Sequence, residues 1–293
     1  MKKFAVAIAL FFFLVAIFSP LSLSNQAVNA QGAGYVIQSV DQKVQILYSG
    51  HVVVTENIVL SGQVPNTFAL GLPYKYASSV LKALAYDSNS LVLPVVLGVQ
   101  LQDQSGFYGA DVTLPSGASS SFTVIFVLSN AILTQTSTTY NLDFPAYLGF
   151  TQIVPTYTAS LTLPEGTTIM GIEKTDGVVN ASSYQKQNVA AFTYSPAIAT
   201  FTGPAGNLQK VNILTLNRQV NISPSGALTC TDTYTISSNS TSSIFNFLIN
   251  IPVKASNVVA KDQFGRVLST TVKQNTTLVF VHNVTLGVPI NSG

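Results

Sequence analysis

The chain has 293 residues, 47% of them hydrophobic and only 8% charged, with a formal net charge of +2 and a single cysteine. That length and apolar content can bury a large core, which excludes a disordered chain. The small charge, without a basic patch or a long charge run, argues against nucleic acid or anionic lipid as a partner. One cysteine excludes an internal disulfide and a cysteine-based metal site.

Residues 1–30 read as a signal peptide. Lys2-Lys3 form a basic start, Phe4 to Phe18 is an uncharged apolar run, Pro20 and a Ser-rich stretch follow, and Val28-Asn29-Ala30 fits a small-residue cleavage site. Cleavage near Ala30 is expected, because the run is short for crossing a bilayer. Without Lys2 and Lys3 the chain carries 11 basic and 11 acidic residues. No later stretch approaches the roughly 18 uninterrupted apolar residues of a membrane helix.

From residue 35 onward the pattern is β. Val52, Val54, Ile58 and Leu60 alternate with His51, Thr55 and Asn57, and Leu228, Cys230, Tyr234 and Ile236 alternate with threonines. Period-2 alternation rich in Val, Ile, Thr and Tyr is the mark of a strand. Further strands are expected near 66–72, 79–86, 91–101, 120–130, 157–163, 209–221, 244–251, 257–262 and 266–281. Turns are expected at Ser49-Gly50, Pro115-Ser116-Gly117, Pro164-Glu165-Gly166, Thr175-Asp176-Gly177 and Phe264-Gly265.

The chain also repeats itself. Val44-Gln45-Ile46, Ser49-Gly50, Val52, Val54-Thr55-Glu56, Ile58 and Leu60-Ser61 recur 176 positions later as Val220-Asn221-Ile222, Ser225-Gly226, Leu228, Cys230-Thr231-Asp232, Tyr234 and Ile236-Ser237. Phe68, Leu70, Leu72 and Pro73 recur as Phe247, Ile249, Ile251 and Pro252, and Ala77-Ser78 with Val80 as Ala255-Ser256 with Val258. A period this long marks a duplicated domain rather than a solenoid unit. The expected architecture is therefore all-β: tandem antiparallel β-sandwiches, the second truncated. Its parts are a signal peptide over 1–30, a first sandwich over 35–205, and a partial copy over 211–293. Thr202-Gly203-Pro204-Ala205-Gly206 forms the short boundary.

Little in the sequence points to catalysis. The two histidines, His51 and His282, are scattered and expected on strand surfaces. No His/Asp/Glu cluster has metal-ligand spacing, and no nucleophile-elbow, phosphate-loop or dinucleotide motif occurs. The expectation is a protein that is not an enzyme and needs no cofactor or metal. Glu56 and Asp232 stand at equivalent places in an apolar file, where a carboxylate is costly unless paired. They are polar anchors toward a neighbouring domain or partner, or else are swung to the rim by a bulge, the favoured reading. Cys230, in the same file, reads as a small core residue. Five N-x-S/T sequons begin at Asn180, Asn221, Asn239, Asn275 and Asn283, each a glycosylation candidate where exposed, with Asn239 best placed at a loop tip.

Three segments carry a family resemblance. They are His51-Val52-Val53-Val54-Thr55-Glu56-Asn57-Ile58-Val59-Leu60; Val112-Thr113-Leu114-Pro115 with Gly117 and Ser121-Phe122-Thr123-Val124; and Val258 to Thr270 around Asp262-Gln263-Phe264-Gly265-Arg266-Val267. In order and spacing they resemble ribophorin I, the non-catalytic subunit of oligosaccharyltransferase, in a divergent, archaeal-type form. The resemblance implies two luminal β-sandwiches, then a membrane helix and a cytoplasmic tail. It also implies an exported accessory module supporting protein N-glycosylation, with an oligosaccharyltransferase catalytic subunit as protein partner. Membrane association would come through a C-terminal anchor missing from residues 1–293 or through an uncleaved N-terminal segment. The expected location is the extracytoplasmic face of a membrane, at the cell surface or in the ER lumen, or outside the cell. The alternative is a secreted surface or adhesin-type sandwich with no link to glycosylation.

Overall fold

A computed structural model describes residues 34–174, 176–204, 208–238, 240, 243–252, 255–275 and 280–290. The described chain is nearly all strand. In order it forms β1 (Tyr35–Ile46), β2 (Val52–Gly62), β3 (Thr67–Pro73), β4 (Val80–Asp87), β5 (Val92–Leu93), β6 (Val95–Leu101), β7 (Gln104–Thr113), β8 (Ser121–Leu128), β9 (Leu133–Thr136), β10 (Thr139–Tyr147), β11 (Gly149–Phe150), β12 (Val154–Thr162), β13 (Thr168–Lys174), β14 (Val178–Asn180), β15 (Ser183–Val189) and β16 (Ser195–Thr202). The C-terminal part adds β17 (Val211–Ile222), β18 (Leu228–Ser238), β19 (Ile244–Ile251), β20 (Ala260–Lys261), β21 (Val267–Leu268), β22 (Thr270–Asn275) and β23 (Phe280–Ile290). No helix among the described residues is long and apolar enough to cross a membrane.

One sheet of eight strands, ordered β14-β15-β12-β1-β2-β8-β4-β5, faces two sheets of four, β13-β16-β10-β9 and β11-β3-β7-β6. Alternation sets the layers. In β2 and β8 every second residue is buried, so Val52, Val54 and Ile58 and their neighbours Phe122, Val124 and Phe126 share one inner face. Phe68 of β3 meets Phe122 of β8 edge-on, with ring centroids 5.1 Å apart, and lies 6.2 Å from Phe150 of β11. These rings close the core between sheets, where aromatic pairs add to simple burial. β1 pairs antiparallel with β2 and parallel with β12, so a long crossover brings residues 154–162 beside the first strand.

The expected strands are found within a few residues of their places. Among the described residues seven further strands of four residues or more, β1, β7, β9, β10, β13, β15 and β16, lie outside the expected ranges, and β23 starts at the end of the last range and runs nine residues beyond it. The turn glycines Gly50, Gly117, Gly166, Gly177 and Gly265 all adopt positive φ, the conformation that favours glycine.

The repeat is visible bond by bond. β17 pairs with β18 in the register that joins β1 to β2, and each hairpin has one irregularity at the same place, Ile37/Ser39 and Ile213/Thr215. The turns match: the amide of Gly50 donates to Leu47 O at 2.9 Å, and that of Gly226 donates to Ser223 O at 2.9 Å. A further correspondence escapes the sequence pattern. Asp87 Oδ1 accepts from the amides of Asn89 and Leu91, both at 2.9 Å. Asp262 Oδ1 accepts from those of Phe264 and Arg266, at 2.9 and 3.0 Å. These two turns join Ala85↔Leu93 in one part and Ala260↔Leu268 in the other. The order β3-β7-β6 likewise recurs as β19-β23-β22.

Candidate functional site

Among the described residues no group of His, Cys, Asp and Glu could hold a metal ion. A shallow apolar recess between Phe144, Leu161, Ile172 and Tyr184 has room for about one water molecule. The most unusual chemistry lies in the core.

Glu56 is completely buried. The rim position favoured from sequence is thus corrected: the irregularity of this hairpin falls at Ile37/Ser39 on β1, and β2 runs regularly through Glu56, so alternation points its carboxyl inward. Tyr157 of β12 donates its hydroxyl to both carboxyl oxygens, at 3.2 and 3.0 Å. Gln42 is the cross-strand partner of Glu56 and is equally buried. Its amide nitrogen donates to Pro145 O at 3.2 Å, while its Oε1 has no hydrogen-bond partner. Burial pushes the Glu56 carboxyl up to about 8, against the opposing pull of hydrogen bonds from Tyr157 and Gln42. Burial also pushes the Tyr157 phenol well up. At neutral pH Glu56 is therefore a neutral acid, whose own proton is a donor available to the orphan Gln42 Oε1.

A polar seam leads outward from this pair. The ring of Tyr157 meets Tyr147 edge-on at 5.8 Å, and Tyr147 stacks on Tyr184 at 6.3 Å. Tyr147 donates to Asp176 Oδ2 at 3.0 Å, and Lys186 forms an ion pair with the same carboxylate. The seam ties β2, β12 and β15 to the strand-end residue Tyr147 of β10. Tyr157→Phe removes the donor facing Glu56. It is expected to lower unfolding stability by about 1–3 kcal/mol, the cost of an unsatisfied buried polar group, measured by urea denaturation below pH 7.

The other sequence candidates are dispersed. Asp232 occupies the place of Glu56, but its cross-strand partner is Arg218, which donates Nε and Nη2 to its two oxygens at 2.7 Å each. The pair lies near solvent, and Arg218 holds the Asp232 carboxyl below its usual range. Cys230 is exposed, which corrects its assignment to the core. His282 is buried, which corrects its assignment to a surface: opposite Ile249 it fills the register place that Ala110 takes opposite Leu70. His51 is half-buried beside Ser49 Oγ, 2.9 Å from Nδ1, and burial lowers its pKa. Asn180 and Asn221 are exposed. Asn275 ends β22. Asn283 Oδ1 is buried. Asn239 lies outside the described residues.

No protein-family model and no curated protein matches the chain. Solved structures do. Leukotriene A4 hydrolase from Saccharomyces cerevisiae matches over 65% of this chain and 30% of its own, at 13% identity and a TM-score of 0.35. An M1 zinc metallopeptidase from Deinococcus radiodurans matches over 79% of this chain and 51% of its own, at 12% identity and a TM-score of 0.29. Aminopeptidase A from Legionella pneumophila matches over 70% and 24%, at 12% identity and a TM-score of 0.28. The chain thus spans between about a quarter and about half of these proteins. The expectation that it is not an enzyme is corrected by this comparison, since the solved structures it resembles are enzymes. At these TM-scores the likeness assigns no reacting group to this chain.

Proposed function

We propose that this protein is an exported β-sandwich accessory module of the ribophorin I type, which holds or presents protein-glycosylation machinery or its substrates outside the cytoplasm. The observation that carries the reading is the placing of the three resembling segments. His51 to Leu60 takes in β2 from Val52 to Leu60, residues 112–124 form the β7–β8 connection, and Val258 to Thr270 contains the Asp262 turn of the β20–β21 hairpin. Each falls on a strand or a turn, in chain order. The protein partner is an oligosaccharyltransferase catalytic subunit, and the chain reaches it after export and cleavage near Ala30.

A pull-down from native membranes is expected to recover that subunit, and its absence at full recovery of the bait would end this reading. N-terminal sequencing of the exported protein is expected to begin at or near Gln31, whereas an intact Met1 would show an uncleaved anchor. In a glycosylating host, mass spectrometry is expected to find glycan on the exposed Asn180 and Asn221 and none on Asn283, whose side-chain oxygen is buried.

A further inference from the structure

Lys186 stands where a lysine is unusual, on the inner face of a sandwich. β15 pairs with β12 through Tyr184↔Ala159 and Lys186↔Tyr157, and Tyr157 is completely buried. Strand alternation therefore sends the side chains of Tyr184 and Lys186 inward, while Gln185 and Gln187 are exposed. The turn after β13 comes to meet them. Gly177 has positive φ, and a Cβ there would overlap the Tyr184 ring, so only glycine lets the turn press on that ring. This close seat lays Asp176 on the Lys186 amine. Two tyrosines hold the pair. The Tyr147 hydroxyl accepts from Lys186 Nζ at 3.2 Å and donates to Asp176 Oδ2 at 3.0 Å. Tyr184 donates to Asp176 Oδ1 at 3.4 Å. β13 belongs to a four-stranded sheet and β15 to the eight-stranded one, so the contact ties one sheet to the other.

We propose that Asp176 and Lys186 join in an intramolecular amide bond, a covalent staple between the two sheets that forms once the chain has folded. The Tyr147 hydroxyl passes its proton to Asp176 Oδ2 and takes one from Lys186 Nζ, which sets a neutral amine beside a neutral acid. The Nζ lone pair then attacks Cγ. Charge gathers on Oδ1, where the Tyr184 hydroxyl holds it. The Cγ–Oδ2 bond breaks, and Oδ2 leaves as water with a second proton from Nζ. One ammonium and one carboxylate become one amide and one water, with no change of oxidation state. Groups held in contact react far faster than free ones. The Lys186 and Asp176 side chains remain 26% and 33% exposed, which leaves the water a way out. With one cysteine the chain has no internal disulfide, and the amide would do that work at this edge of the first repeat. The staple does not depend on a role in glycosylation.

The test reads tryptic peptides of the full chain by mass spectrometry, from a host that does not glycosylate, since Asn180 lies between the two residues. Trypsin cuts after Lys186 only where its amine is free. The wild type is therefore expected to yield residues 175–210 as one peptide lighter by one water, in place of separate 175–186 and 187–210. Lys186→Arg keeps the ion pair without the nucleophilic amine, and is expected to yield both peptides at full mass. Tyr147→Phe is expected to slow linkage after synthesis by at least about tenfold, through loss of general acid–base help. Linkage at the wild-type rate in that variant would overturn the proton relay. Separate peptides at full mass from the wild type, after prolonged storage at neutral pH, would overturn the staple itself. So would a loss of water that persists in Lys186→Arg, because Asp176-Gly177 can close to a succinimide by losing the same water.

Discussion

Glu56→Gln is expected to make the protein more stable at alkaline pH while changing it little at pH 5. Burial raises the folded-state pKa of Glu56 from 4.5 to about 8. Between these values the folded protein holds a proton that the unfolded chain releases, so stability falls as pH rises. The contribution is fully present below about pH 4.5 and is lost as pH climbs through about 8. At about 1.4 kcal/mol per pH unit, the full loss across that window is on the order of 4–5 kcal/mol, a large share of a domain's usual 5–15 kcal/mol. Glutamine keeps the shape, accepts from Tyr157, and offers its amide hydrogens to the orphan Gln42 Oε1. The sign is opposite for His51, whose lowered pKa makes stability rise with pH near 6.5, but that slope is common to both proteins. The difference between wild type and variant isolates Glu56. Urea unfolding at pH 5, 7 and 9 reads it, and parallel pH profiles would show that Glu56 titrates as an ordinary carboxyl.

The sequence made the strands legible wherever apolar and polar residues alternate, as in β2 and β18, and it made the turns legible wherever glycine sits between them. It also showed the repeat, because both hairpins keep their inward residues at matched spacing. Side-chain depth was not legible. Alternation assigns Glu56, Cys230 and Asp232 to the inward file of a strand, but whether that file meets a core depends on which sheet lies opposite. For Glu56 the polar partner in that core is Tyr157 of β12, two strands along the same sheet and 101 positions away in the chain. β7 and β10 were missed because Gly106, Gly109 and Pro145 break their alternation. The burial of His282 had a signal in the repeat, but the register of β19 with β23 was needed to align it with Ala110.

The two hairpins, equal in register, are expected to differ in amide exchange by at least about a thousandfold, with β17–β18 the faster. Their matched residues have opposite surroundings. Val44, Ile46 and Val52 are 0%, 2% and 0% exposed, while their counterparts Val220, Ile222 and Leu228 are 53%, 72% and 70% exposed. β1 and β2 have strands on both outer edges and a core beneath, so their amides open only when the whole sheet does. β17 and β18 have each other, a small cluster around Val211, Ile244 and Phe247, and a few ties to the first repeat. One such tie is Asn130 Nδ2 donating to Val211 O at 3.3 Å. Their opening then costs much less than global unfolding, and each 1.4 kcal/mol of that difference is tenfold in exchange rate. Matched substitutions test the same contrast. Val44→Ala is expected to cost about 2 kcal/mol through lost burial, and Val220→Ala less than about 0.5 kcal/mol. Equal protection of the hairpins, with equal costs for the two alanines, would mean that in solution β17–β18 is covered by a core as complete as that of the first repeat.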